Sequence, residues 1–273
     1  MMTLREVEVG GRRSKVWTGG EGEPLVLVHG GWGGAEMHWM PVWERLAERF
    51  QVIAPELPGI GDRSLPGLPS LDAYAEWLVQ LLGSLKVPRV WCIGNSFGAA
   101  VVWELAARLG ARCRGVVLVN GMPFEMPLLM RGLAAIAPLR RLLRALYLKL
   151  VFSPAVLPRA YADPARAPAE LRRVLADPPP AQVDLILGIA YGGARPAPPP
   201  SVPTLIAWGE ADRLPGTSLE TARKLHRSLA DARLVLIRSA GHCPQVERPA
   251  EFVEAIASFV ASASAAGIKE AAP

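Results

Sequence analysis

The sequence predicts an α/β chain: a mostly parallel, doubly wound sheet with a helical segment inserted after the strand that ends near Asn120. Three observations carry this reading. Short apolar runs alternate with helical patterns from residue 25 onward, the alternation stops between Asn120 and Val202, and it then resumes with two more strands. Regular alternation of strand and helix argues for a parallel sheet covered by helices. A parallel crossover needs only about a dozen residues, so the whole of 121–201 is an insertion.

The elements follow in order. Residues 3–9 and 13–18, broken by Gly10-Gly11, read as an antiparallel hairpin at the sheet edge. Strands follow at 25–29, 51–54, 89–93 and 115–120, with helical patterns at 36–49, 71–85 and 97–109 between them. After the insertion come strands at 204–208 and 234–237. The expected division is a core of 1–121 with 202–273, and a helical cap of 122–201. Prolines at both ends of the cap suit stiff connections to a separate unit. Within it Leu139, Leu142, Leu143, Leu146 and Leu150 recur at helical spacing, with Arg140, Arg141 and Arg144 off that face. This predicts an apolar inner face. Asp177-Pro178-Pro179-Pro180 breaks the helices and 181–189 reads as another. The small, polar stretch 261–273 is expected to fray.

Composition narrows the function classes. At 273 residues and 51% apolar, the chain can bury a large sheet. No run reaches the ~18 uncharged apolar residues of a membrane span, and the first residues carry no apolar signal core. The cytoplasm is the expected location. Three cysteines give no disulfide framework: Cys92 and Cys113 read as core packing, and Cys243 as a small pocket residue rather than a nucleophile. No metal-ligand spacing or phosphate loop is present, so no cofactor and no metal are expected. Of the net charge of +5, the segment 131–173 holds eight Arg and one Lys against Asp163 and Glu170, a local +7. A local excess without an interleaved aromatic run argues against nucleic acid as a partner. The plainest reading of these arginines is a solvated helix face. A weak membrane-surface contact and recognition of a substrate carboxylate are the alternatives. The sequence sets no oligomeric state.

Chemistry is concentrated in Gly94-Asn95-Ser96-Phe97-Gly98, which follows the apolar run Val90-Trp91-Cys92-Ile93 and opens a helical one. Gly-x-Ser-x-Gly between strand and helix is a nucleophile elbow, with Ser96 at the tip. The N–H of Phe97, at the helix start, points where an oxyanion would form. Serine needs a base, and in this arrangement the chain order is serine, acid, histidine. His242 lies in the turn after the 234–237 strand, whereas His226 falls in a polar helical pattern and reads as a solvated surface residue. Asp212, after the 204–208 strand, is the preferred acid and Glu210 the alternative. At the other common place for the acid stands Asn120, which cannot carry the charge.

With these motifs the chain resembles the α/β-hydrolase family. Two further stretches agree. Leu25-Val26-Leu27-Val28-His29-Gly30-Gly31-Trp32-Gly33-Gly34 looks like the family's strand and His-Gly oxyanion loop. Ala54-Pro55-Glu56-Leu57-Pro58-Gly59-Ile60-Gly61-Asp62-Arg63-Ser64 is similar to its Asp-x-Pro-Gly-x-Gly-x-Ser loop, with Glu56 in place of the usual aspartate. The resemblance covers about 15–121 and 202–262. It implies that Gly31 and Phe97 supply the oxyanion N–H groups and that His29 holds the loop. The insertion's position places it over the serine, where an apolar inner face would exclude water. Met122, Phe124, Met126 and Met130 are candidates to line that pocket with Trp32. The alternative is that the methionines and Phe124 pack cap against core. The lidded branch includes esterases, lactonases and C–C bond hydrolases. Serine at the elbow argues against the dehalogenase and epoxide hydrolase branches, which use aspartate there. Trp32 stands where meta-cleavage C–C hydrolases and proline iminopeptidases usually carry a proline. The expected activity is hydrolysis of a small to medium carboxylic ester through an acyl-enzyme on Ser96. A C–C hydrolase, lactonase or amidase with the same triad, and a non-catalytic ligand-binding protein on this scaffold, are the rivals.

Overall fold

Among the described residues, eight strands form one sheet: β1 (Thr3–Val9), β2 (Arg12–Gly19), β3 (Glu23–Val28), β4 (Phe50–Pro55), β5 (Val90–Asn95), β6 (Cys113–Val119), β7 (Thr204–Gly209) and β8 (Ala232–Ile237). Their order across the sheet is β1-β2-β4-β3-β5-β6-β7-β8. The first two strands form the expected edge hairpin, turned at Gly10 and Gly11, both at positive φ, where glycine carries no steric penalty. β2 joins β4 antiparallel, and every later pairing is parallel. The computed structural model describes residues 1–123, 126–192 and 195–270.

Helices cover both faces, so the central strands are apolar on both sides. On one face α1 (Ala35–Ala47) and α11 (Pro249–Glu270) bury Trp39, Val42, Leu46, Phe252 and Ile256 against Leu25 and Leu27. On the other, α2 (Leu71–Ser84) and α3 (Phe97–Leu109) bury Tyr74, Leu78, Val101 and Leu105 with Val26 and Val28. Consecutive residues of β3 thus serve opposite layers, as the two-residue period of a strand requires. α9 (Leu219–Ser228) and the short α10 (Pro244–Glu247) complete the C-terminal part. The end expected to fray continues as α11 through Glu270. Its alanine-rich composition has high helix propensity, and 271–273 lie outside the described residues.

The segment between β6 and β7 is helical: α4 (Leu128–Ala135), α5 (Ala137–Val151), α6 (Leu157–Ala160), α7 (Ala169–Ala176) and α8 (Pro180–Tyr191). Pro180 opens α8, where a missing N–H costs nothing. Two expectations change here. The leucine stripe of α5 is divided. Leu139 and Leu143 are half-buried while Leu142, Leu146 and Leu150 are exposed, and no residue of α5 is fully buried. The segment is also stitched to the core at its middle as well as joined at its ends. Arg213 N–H donates to the Arg159 carbonyl at 2.9 Å, and His242 N–H to the Ala160 carbonyl at 2.6 Å. Its proline-rich exit is pinned too, since Trp103 donates its indole N–H to the Ala197 carbonyl at 2.9 Å.

Candidate active site

The loops at the carboxyl ends of β3, β5, β6, β7 and β8 converge, because adjacent parallel strands end side by side. Ser96 stands between β5 and α3 at φ 54°, ψ −116°, a conformation non-glycine residues rarely hold. Its neighbours have to be glycine. A Cβ on Gly94 would strike the Gly98 carbonyl, and one on Gly98 would strike the Val28 carbonyl of β3. Ser96 N–H is tied to the Val119 carbonyl at 2.9 Å, holding the turn against β6. Phe97 is the first residue of α3, where backbone N–H groups lack intrahelical acceptors.

The glycine loop after β3 faces this turn. A Cβ placed on Gly31 would lie 3.7 Å from the Phe97 Cβ and 2.9 Å from Ile186 Cδ1 of α8. His29 is fully buried and doubly satisfied. Its Nδ1–H donates to the Gly30 carbonyl at 2.8 Å, and its Nε2 accepts the Leu57 N–H at 2.9 Å. That pattern requires the neutral ring, and burial accordingly pushes its pKa down. Glu56, at the position where the resemblance expects aspartate, reaches the start of α1 and accepts the Ala35 N–H at 2.9 Å. A carboxylate there matches the positive end of the helix.

Asp212 and His242 meet. His242 Nδ1–H donates to Asp212 Oδ2 at 2.7 Å, with both side chains almost wholly buried. The second carboxylate oxygen accepts the Leu214 N–H at 3.0 Å. Nδ1 being the donor, Nε2 is left as the basic nitrogen. Asn120, excluded as the acid because it bears no charge, braces this arrangement. It donates to Asp212 Oδ2 at 2.8 Å and accepts the Gly209 N–H at 2.9 Å. Asn95 donates to the His242 carbonyl at 3.0 Å, linking the serine turn to the histidine loop. Glu247 accepts the Gly241 N–H at 2.6 Å and the Asp163 N–H at 3.0 Å, clamping that loop to the inserted segment.

Trp32 lies beside His242, ring centroids 5.2 Å apart, and donates its indole N–H to the Val151 carbonyl at the end of α5, 3.0 Å away. Met122 is half-buried against the core, and Met126 is half-buried. Phe124 lies outside the described residues. Gln182 of α8 was not singled out in the sequence. It is buried, donates its amide to the Gly31 carbonyl at 2.7 Å, and leaves its Oε1 without a partner. His38 was also missed. It is buried on α1, donates Nδ1–H to the Gly34 carbonyl at 3.0 Å, and brings its Nε2 toward Gly30. Burial drives its pKa down to about 3. Helical spacing marks such residues as inward-facing and says nothing of what they meet.

His226 is half-buried rather than freely solvated, its Nε2 bonded to the Ala232 carbonyl at 3.1 Å. The ring spans the gap between α9 and β8, which its helical pattern alone does not reveal. Cys243 is buried next to His242, and desolvation pushes its thiol up to about 12, far from a reactive thiolate. Among the described residues, no three His, Cys, Asp or Glu side chains are grouped to hold a metal ion.

The model of the alpha/beta hydrolase family matches residues 25–255. A 2-hydroxymuconate semialdehyde hydrolase of Pseudomonas sp. (strain CF600) is 29% identical, over 97% of this chain and 96% of that protein. Among solved structures, an esterase from Thermogutta terrifontis superposes with TM-score 0.75 at 22% identity, covering 96% of this chain and 99% of the other. A meta-cleavage product hydrolase from Pseudomonas fluorescens IP01 does so with TM-score 0.74 at 21% identity, covering 95% and 98%. At these identities the two superpositions speak for the fold.

Proposed function

The chain belongs to the alpha/beta hydrolase family, and from that premise we propose that it is a serine hydrolase cleaving carboxylic esters of small to medium size through an acyl-enzyme on Ser96. The observation that carries this is the buried 2.7 Å Asp212–His242 bond, made beside a serine held at positive φ on the strand–helix turn. In this reading 122–201 is the cap over the site. His242 Nε2 takes the Ser96 proton as the hydroxyl oxygen attacks the carbonyl carbon. Asp212 holds the ring's tautomer and stabilises the imidazolium. The N–H groups of Gly31 and Phe97 bind the oxyanion, each worth roughly 3–4 kcal/mol in such sites. His242 then protonates the leaving alkoxide, and a water repeats the steps on the acyl-enzyme.

Substrate neutrality near the scissile bond is supported by what the inserted segment places over Gly31, which is Gln182 and Ile186. Several of its arginines are engaged elsewhere: Arg144 with Asp184, and Arg159, Arg166 and Arg172 with the carbonyls of Leu150, Glu247 and Pro164. A second reading, hydrolysis of a C–C bond by the same groups, is favoured by the full-length similarity to a 2-hydroxymuconate semialdehyde hydrolase.

A panel of p-nitrophenyl esters from acetate to laurate, run beside a vinylogous dienol keto acid, separates the two. Ester turnover with a chain-length optimum is expected, and Ser96→Ala should lower it by on the order of 10⁴ or more. Undiminished turnover in that variant overturns the assignment. Ring-fission substrate consumed far faster than any ester moves the C–C reading to the front.

A further inference from the structure

Nine large apolar side chains are strongly exposed among the described residues, and six of them sit on α4, α5 and the turn between: Leu128, Leu129, Ile136, Leu142, Leu146 and Leu150. Leu128 and Leu129 are 78% and 73% exposed in the first turn of α4, and Leu142 is 56% exposed on α5. The four-residue spacing of Leu142, Leu146 and Leu150 puts them on one helical face. Single exposed leucines are ordinary. Six on one pair of adjoining helices mark a surface that something covers.

Charge says what that something is. Residues 126–152 contain Arg131, Arg140, Arg141, Arg144 and Lys149 and no Asp or Glu. Arg144 is spent on Asp184 of α8, while Arg140, Arg141 and Lys149 are exposed. A second copy of this chain packed on the same face by a two-fold axis would set these cations against their own mates with no acid between them. An anionic surface would meet Lys149 within the stripe and attract the arginines that lie off it. At 15 residues α5 is too short to cross a bilayer, and no helix among the described residues is long and apolar enough to do so. Its half-buried Leu139, Leu143 and Tyr147 already face the protein.

We propose that the outer face of α4 and α5 docks in the plane of an anionic lipid surface, with the leucines entering the acyl boundary and the basic side chains meeting headgroup phosphates. A basic amphipathic helix binds in this way, apolar burial and headgroup attraction acting together. Lys149 lies within the leucine stripe and reaches the headgroups by extending its stem. The docked face adjoins the candidate site, since the Val151 carbonyl that ends α5 accepts the Trp32 indole.

The test is flotation of the purified chain with vesicles of phosphatidylcholine carrying about a third phosphatidylglycerol, against pure phosphatidylcholine. Binding is read without turnover, so failure of the esterase reading leaves the result intact. Co-flotation with the anionic vesicles is expected, weakened by high salt. Arg141→Ala and Lys149→Ala should each lower the partition about fivefold. The double variant Leu142→Ser, Leu146→Ser should lower it at least about tenfold. Thermal melts matching the parent chain establish that these surface variants fold. Absent flotation, equal binding to neutral vesicles, or binding unchanged in the variants each overturns the proposal. So does a dimer by light scattering that the double leucine variant dissociates, which assigns the face to a second copy.

Discussion

Strand β5 and helix α5 are both written largely in apolar residues, yet every residue of Val90–Asn95 is buried and none of Ala137–Val151 is fully so. β5 lies mid-sheet with helices on either side, and its side chains alternate between two cores. α5 rides over α8, and half of its leucines face outward. An apolar sequence therefore states what favours removal from water. It does not say whether the chain itself supplies the cover. In the sheet, burial positions the candidate groups, because β5 delivers Ser96, β6 delivers Asn120 and β7 delivers Asp212. In α5, the uncovered side chains are available to a partner.

This contrast can be tested by breaking each side of it, beginning where the effect is largest. Asp212→Asn retains size but changes the tautomer that His242 presents. On the proposed chemistry, ester kcat should fall by about 10⁴ while the melting temperature moves little. Loss of less than tenfold would remove Asp212 from the mechanism. Leu27→Ala, wholly buried in β3, should cost about 2–5 kcal/mol in denaturant unfolding.

Acid should act through the buried histidines. His38 is held at about 3 and His29 is lowered as well, both chiefly by burial. Below pH 6.5 the unfolded chain takes up protons that these rings refuse. For His38, stability present above that pH is therefore lost as pH falls from 6.5 toward 3, at up to about 1.4 kcal/mol per pH unit, and His29 acts in the same direction. Urea unfolding across this range should show a shallower slope in His38→Gln, and an unchanged slope would refute the assignment. The smallest effect is expected on the other side of the comparison. Leu146→Ser, on the uncovered face of α5, should stay within about 0.5 kcal/mol of the parent. A loss approaching that of Leu27→Ala would mean the face is packed after all.

Much of the candidate site's geometry was legible because its signals are local. Gly94, Ser96 and Gly98 sit within five residues, and their small size is demanded by contacts with the immediately adjoining strand and helix. The strand ends before Asp212 and His242 could likewise be read from short apolar runs. Asn120 was visible at a strand end as a residue that cannot be the acid, but charge as a criterion could not reveal the pair of hydrogen bonds by which it holds Asp212. Gln182 carried no signal, since nothing in a helical pattern reveals that α8 will lie over Gly31. The leucines of α5 announced a face. Their period could not say which way that face would turn.

The division follows the range of the forces involved. Periodicity, turn chemistry and the order of motifs act over a few residues, and they suffice for an α/β sheet, an elbow at Ser96 and a helical insertion after Asn120. The Asp212–His242 pair, the Asn120 brace, the Gln182 contact with Gly31 and the outward leucines depend on how distant elements settle against one another. Those positions come from packing the whole chain at once, in which each side chain competes for the same interior volume.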